Sequence, residues 1–278
     1  SGRRNLVFEQ SESFSLSLSA DYSWSDETAP ALVLMDVFFD DLSAPTPGTP
    51  NPITGNDYKP NIAALHQMFG FADGTVPYDK RFIPDDNYST YASGPGASKS
   101  EIWGLSATAD WQINEDISLK SITAYRELDS MFGQDPDHSP FLLDAHTNDY
   151  RHNQFSQEIQ LSGLALEGKL KWLLGAYYFE EKGIDRVIVP LLHGLVLLDQ
   201  ANEIDNNAWA AFGQATYDFT NQTSLTVGMR YTDEHKKYTA THLDRGPANA
   251  LAAQIVQPDG TFVLLVGEGE NDFNNISP

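Results

Sequence analysis

The chain has 278 residues, no cysteine and a formal net charge of −22. That charge excludes a nucleic-acid binder, which needs a basic surface, and the missing thiols exclude disulfides, thiolate zinc sites and a cysteine nucleophile. No apolar run approaches the roughly 18 residues of a membrane-spanning helix. An average composition leaves a transmembrane β-barrel open, because such strands alternate lipid-facing with lumen-facing residues.

The opening Ser1-Gly2-Arg3-Arg4 has no apolar stretch behind it, so no signal peptide is expected within the chain. Period-two alternation starts at Ser13: Phe14, Leu16, Leu18, Ala20, Tyr22 and Trp24 share one face against Ser15, Ser17, Ser19, Asp21 and Ser23. A connection over about residues 25–100 follows, rich in Pro, Gly, Asp and aromatics. Phe69, Phe71, Tyr78, Phe82, Tyr88 and Tyr91 lie in it, and Ala44–Pro52 is a turn-rich tip. The next strand sets Trp103, Leu105, Ala107, Ala109, Trp111 and Ile113 against Gly104, Ser106, Thr108, Asp110 and Gln112. Asn114-Glu115-Asp116 breaks it, and the return strand carries Ile117, Leu119 and Tyr125.

Phe155, Ile159 and Leu161 mark a further strand, and Leu170, Trp172, Leu174, Ala176 and Tyr178 mark its partner. Phe212–Glu234 is a hairpin around Thr220-Asn221-Gln222-Thr223, with Gly213, Ala215, Tyr217 and Phe219 on the apolar face of its first strand and Leu225, Val227, Met229 and Tyr231 on that of its second. The closing "NDFNNISP" reads as a strand about to start.

Short breaks near Glu12, Glu115, Glu167 and Gln222 alternate with long connections over roughly 25–100, 130–150, 186–206 and 242–270. An up-and-down sheet with one plain rim and one elaborated rim has this rhythm, and long structureless loops argue against a compact soluble domain. Runs of about twelve residues reach ~40 Å, enough to cross a hydrocarbon layer of about 30 Å when tilted by ~45°. Tyr217, Phe219 and Trp111 sit beside short turns, while Tyr22, Trp24, Trp103, Trp209 and Tyr231 sit at the long-loop rim. Amphipathic rings take those two positions at membrane interfaces. The predicted fold is therefore all-β: an antiparallel up-and-down transmembrane β-barrel with about eight visible strands, short periplasmic turns and long extracellular loops.

"FSQEIQLSG", "GKLKWLLGAYYFEE" and "AAFGQATYDFTNQTSLTVGMRYTDE" together resemble the mid-barrel region of TonB-dependent outer-membrane receptors, and "SATADWQINEDISLKSITAYRE" resembles the preceding hairpin. "YSTYASGPGAS" is similar to a long loop of siderophore-type members. The resemblance covers roughly Phe14 to Tyr238 and implies energy-coupled import of a scarce ligand, often a ferric siderophore and sometimes cobalamin or a glycan. It also implies residence in bacterial outer-membrane lipid. Residues 1–278 are then part of one barrel domain. No plug domain and no TonB box is visible, so the resemblance assigns TonB coupling and plug contacts to parts absent from this chain.

Lys120, Arg126, Glu158 and Arg230 fall on polar faces, and in the family picture such charges contact the plug or line the ligand path. Arginine forks suit carboxylate or catecholate oxygens. Tyr88 and Tyr91 in the long loop are candidates for ligand capture. Asp135, Asp137, His138, Asp144, His146, Asp149 and His152 are expected in one extracellular loop. Their spacing matches neither an EF-hand nor a His-Glu-x-x-His zinc site, so no metal and no cofactor is expected. No nucleophile elbow, phosphate loop or dinucleotide glycine pattern occurs, so the chain is not read as an enzyme. A passive porin-like barrel and a surface adhesion barrel acting through its loops are the alternatives.

Overall fold

The computed structural model describes residues 2–11, 13–29, 32–35, 82–140, 142–191, 194–247 and 262–277. Phe69, Phe71, Tyr78 and the Ala44–Pro52 tip lie outside the described residues. Nine strands form a single sheet: β1 Gly2–Ser11, β2 Phe14–Thr28, β3 Ala97–Gln112, β4 Ile117–Gln134, β5 His146–Ala165, β6 Leu170–Leu191, β7 Val196–Thr220, β8 Thr223–Asp244 and β9 Phe262–Ser277. Their order in the sheet is their order in the chain, and every neighbouring pair is antiparallel. Nine strands stand where about eight were expected, and the two ends make the difference. In β1 the run Leu6-Val7-Phe8 obscures the alternation, and β9 already contains the segment expected only to begin a strand.

The short rim is built by local turn chemistry. Between β3 and β4, Asn114 Oδ1 accepts from the amides of Asp116 and Ile117, both at 2.9 Å. Between β5 and β6, Leu166 (φ 53°), Glu167 (φ 58°) and Gly168 (φ 81°) wind through the left-handed region before Leu170 restarts the ladder.

The opposite rim differs from expectation. The connection expected over 186–206 shrinks to the few residues between Leu191 and Val196, because β6 and β7 continue to those points. The connection expected over 130–150 shrinks to the residues between Gln134 and His146, and that expected over 242–270 to those between Asp244 and Phe262. Along these stretches both faces carry polar or mixed side chains, so the alternation that reveals a strand in sequence disappears while the backbone ladder continues.

Register partners share a face and successive residues alternate, which divides the sheet into two surfaces. One carries Leu18, Leu105, Ile159, Leu174 and Val227, which remain 41%, 54%, 47%, 56% and 63% exposed. The other carries the serines of β2 and the polar residues facing them. Among the described residues the only buried aliphatic side chains are Ala29, Leu143, Ala145, Ala210 and Ala240. Among the described residues no second layer covers the apolar face and no water-excluding core forms, so that face needs a lipid-like medium.

Candidate functional site

In the half of the polar face nearest the short turns, ion pairs run between neighbouring strands and, once, across an intervening one. Lys120 Nζ lies 3.3 Å from Asp110, Lys171 lies 3.1 Å from Asp218, and Arg126 Nη2 donates to both oxygens of Asp21. Arg230 differs from them: its guanidinium lies 5.8 Å from the ring centre of Tyr177 and 5.6 Å from that of Phe212. Its Nε donates to Thr232 (3.1 Å). Gly175 makes room for this arrangement, since a Cβ there would stand 2.2 Å from Phe212 Cζ. Glu158 is paired in register with Tyr177 and accepts a hydrogen bond from Gln160. The structure thus puts all four expected polar-face charges, Lys120, Arg126, Glu158 and Arg230, on one surface.

Higher on the same face, β5 to β8 carry a hydrogen-bonded wall that sequence reasoning did not find. Tyr150 and His152 stack at 6.2 Å with planes 6° apart. His152 Nε2 and Glu181 Oε2 lie 3.2 Å apart, and Asn206 donates to the other oxygen of Glu181 (2.7 Å). Asn148 donates to Asp185. Tyr238 donates its hydroxyl to Asn202 Oδ1 (2.7 Å), and His242 Nε2 lies 3.1 Å from the same oxygen. His146 and His152 therefore belong to strand β5 and not to a loop. The available signal was the period-two series His146, Asn148, Tyr150, His152, polar throughout and so easily read as irregular.

The apolar face has its own landmark. Trp103 and Tyr125 (5.2 Å), Phe155 and Tyr178 (6.4 Å), and Trp209 and Tyr231 (5.3 Å) form three ring pairs, one per hairpin. Each tyrosine donates its hydroxyl to a carboxylate two residues on: Tyr125 to Glu127 (2.9 Å), Tyr178 to Glu180 (3.1 Å) and Tyr231 to Asp233 (3.4 Å). The row marks where an apolar surface gives way to a charged one. A second row lies at the short turns, where Tyr217 and Phe219 meet edge to face at 4.9 Å. From Trp103 to Trp111 the strand travels ~26 Å, close to the apolar band of about 25 Å in outer-membrane barrels.

Two of the expected loop residues, Asp135 and Asp137, are engaged in holding the rim. Asp135, only 7% exposed, accepts from the amides of Ser93 (2.8 Å), Gly94 (2.7 Å), Asp137 (3.2 Å) and His138 (3.2 Å). Asp137 accepts from the amides of Ser139, Leu143 and Asp144 at 2.8, 2.9 and 2.9 Å. Burial pushes the Asp137 carboxyl above its ordinary value, against those hydrogen bonds. His138 occupies a left-handed position (φ 58°) with a buried Nδ1. Tyr88 is 94% exposed, and Tyr91 packs edge to face on Phe82 at 5.9 Å. Among the described residues no group of His, Asp and Glu has the geometry to hold a metal ion.

A single-layered antiparallel sheet with one aromatic-banded apolar face and one polar face is the wall of a membrane β-barrel. The family model described as "TonB dependent receptor-like, beta-barrel" matches residues 36–263, and the chain belongs to that family. Its barrels are bacterial outer-membrane receptors and transporters rather than enzymes, and full-length members take up small ligands and interact with TonB.

The fold is similar to the ferric yersiniabactin uptake receptor FyuA of Yersinia pestis (TM-score 0.56, 9% identity), with 99% of this chain and 34% of that one covered. It is similar also to the ferric-catecholate import receptor Fiu of E. coli K12. The open form gives a TM-score of 0.51 at 10% identity, covering 99% of this chain and 43% of that one; the closed form gives 0.53 at 12%, covering 99% and 39%. The chain thus spans less than half the length of these receptors. A comparison with curated protein sequences found no match.

Proposed function

We propose that this chain forms part of the barrel wall of an outer-membrane receptor, with its apolar face in lipid and its polar face lining the passage. The passage binds a small scarce ligand for import, a ferric siderophore first among the candidates, and TonB and a plug act through parts outside this chain. The hydrogen-bonded wall from Tyr150 to His242 carries this reading. It puts rings, amides and carboxylates on the passage side, at the rim away from the short turns.

Lys120, Arg126, Glu158 and Arg230 line the deeper passage, where Arg230, lying over two rings, is the best placed to donate to a ligand oxygen. The connection between Thr28 and Ala97, with Tyr88 and Tyr91, lies on the extracellular side and helps to capture the ligand. β1 and β9 do not pair with each other, which weighs against a small barrel closed by this chain alone and acting as a passive pore.

The test is uptake of radiolabelled iron, supplied as ferric siderophore, by source cells with the gene intact or disrupted and with or without a protonophore. Loss of uptake on disruption and on protonophore treatment is expected. Uptake that persists without the proton gradient would return the protein to the passive-pore class.

A further inference from the structure

The ionised side chains of the polar face are distributed unevenly between its two halves. From the short turns up to the aromatic row, acids and bases match in number among the described residues: Asp21 pairs with Arg126, Asp110 with Lys120 and Asp218 with Lys171, while Glu158 and Arg230 stand three strands apart. Above the row the balance is lost. Glu181 and Asp185 on β6 and Glu234 on β8 point to the passage side, as does Glu27 on β2. Among the described residues Lys236 is the one basic side chain, histidines aside, on that side of the wall. It is already committed to Glu234 at 3.0 Å and lies over the ring of Phe273 at 5.6 Å.

The partners of Glu181 and Asp185 are His152, Asn206 and Asn148, all neutral when the histidine is unprotonated. The remaining contact groups are the Tyr150–His152 stack and the Tyr238–Asn202–His242 chain. These offer flat faces and paired donors and acceptors, and no guanidinium or ammonium.

An anion entering here would meet uncompensated carboxylates in a partly water-excluded passage, where repulsion is less screened than in bulk solvent. A neutral or cationic molecule meets no such penalty, and its hydroxyl and amide groups find the acceptors that Glu181, Asp185 and Asn202 present. We infer that the ligand taken by this wall carries no net negative charge and is bound by ring stacking and by hydrogen bonds to neutral and anionic acceptors. Among ferric complexes this selects a neutral trihydroxamate over a trianionic triscatecholate. The inference rests on the import reading above and narrows it to a charge class.

The experiment is equilibrium binding, followed by tryptophan fluorescence, of a neutral ferric trihydroxamate and a trianionic ferric triscatecholate of similar size. The protein is the intact receptor purified from outer membranes. The neutral complex is expected to bind at least about tenfold more tightly, a difference of ~1.4 kcal/mol. That preference is expected to narrow as salt is raised from low to physiological strength. The double variant Glu181→Gln, Asp185→Asn, which keeps side-chain shape, is expected to narrow it several-fold. An unchanged heat-modifiable band on gels controls for its folding.

Equal or tighter binding of the anionic complex overturns the charge-class inference and leaves the import reading standing. A preference that neither salt nor the double variant changes overturns the assignment of selectivity to Glu181 and Asp185. Binding of neither complex overturns both the inference and the siderophore reading on which it rests.

Discussion

Arg126 and Asp21 meet over the bare backbone of Gly104. The three residues are register partners on β4, β3 and β2, and Arg126 Nη2 reaches the two carboxylate oxygens at 2.8 and 2.9 Å. A Cβ at Gly104 would stand 3.1 Å from both Arg126 Nη2 and Asp21 Oδ1. The middle strand therefore gives up a side chain so that its two neighbours can pair across it. Both partners are partly exposed, so their coupling should be modest, about 0.2–1 kcal/mol in a double-mutant cycle of Asp21→Ala and Arg126→Ala. Gly104→Leu should remove that coupling by pushing the pair apart. Denaturant unfolding of the receptor in detergent measures both; coupling that survives in the Gly104→Leu background would refute the arrangement.

Asp135 ties the end of the long connection to the β4–β5 rim. Asp135→Ala would leave the amides of Ser93 and Gly94 without their acceptor, at a local cost of about 1–3 kcal/mol. The close fit of Gly94 against Asp135, where a Cβ would come within 2.7 Å of the aspartate Cβ, leaves no room for another residue there. Hydrogen exchange at Ser93 and Gly94 should accelerate by about tenfold or more, with the strands from β3 to β8 unchanged. Unaltered exchange at these two amides would show that the aspartate does not hold the segment.

The rim above the aromatic row should weaken in acid through Asp199. Its carboxyl is held below the ordinary carboxylate range, chiefly by Arg186, which donates twice at 2.9 Å. Burial opposes that shift, and Arg245 adds a bond of 2.8 Å. The unfolded chain takes up this proton at a higher pH than the folded one. The clamp's contribution is therefore complete above about pH 4 and is lost as pH falls through the lower folded value. The ratio of amide exchange in Asp199→Asn to that in wild type, read at Leu197 and Leu198, should fall towards one as pH is lowered. A ratio independent of pH would remove Asp199 from this role.

The tryptophans should report two depths in the bilayer. Trp24, Trp103 and Trp209 belong to the upper row, and Trp111 and Trp172 to the lower, all on the apolar face. In variants retaining one tryptophan each, brominated lipids should quench most strongly when bromine lies near the headgroup end of the chain. Bromine near the chain terminus should quench less at all five positions. Maximal mid-bilayer quenching at Trp103 or Trp209 would misplace the upper boundary.

Much of this was legible from period-two alternation. Within the lipid-level segments, Leu16 to Trp24 and Trp103 to Trp111 announce both the strand and its faces, because one face meets apolar medium and the other does not. Beyond Tyr178 and Trp209 both faces meet polar surroundings, so the pattern vanishes while the hydrogen-bond ladder persists. For that reason the wall containing His152, Glu181, Asn202 and Tyr238 was hidden. Register also decides what alternation cannot: no sequence rule brings Asn206 to Glu181 or Tyr238 to Asn202. The acidic stretch from Asp135 to Asp144 was legible as composition only, and the carboxylates of Asp135 and Asp137 turn out to be held by backbone amides.

β6 and β7 remain paired without a register shift from Leu170–Tyr217 to Leu191–Val196. A sliding step of a single residue would turn every side chain of a strand to the opposite surface, so this stretch of the wall cannot adjust itself in small increments. It behaves as a rigid gauge. On the import reading proposed above, tolerance for cargo of different outline must come from the tips that join the strands, and a change of cargo over evolutionary time has to proceed by replacing side chains on a stationary frame.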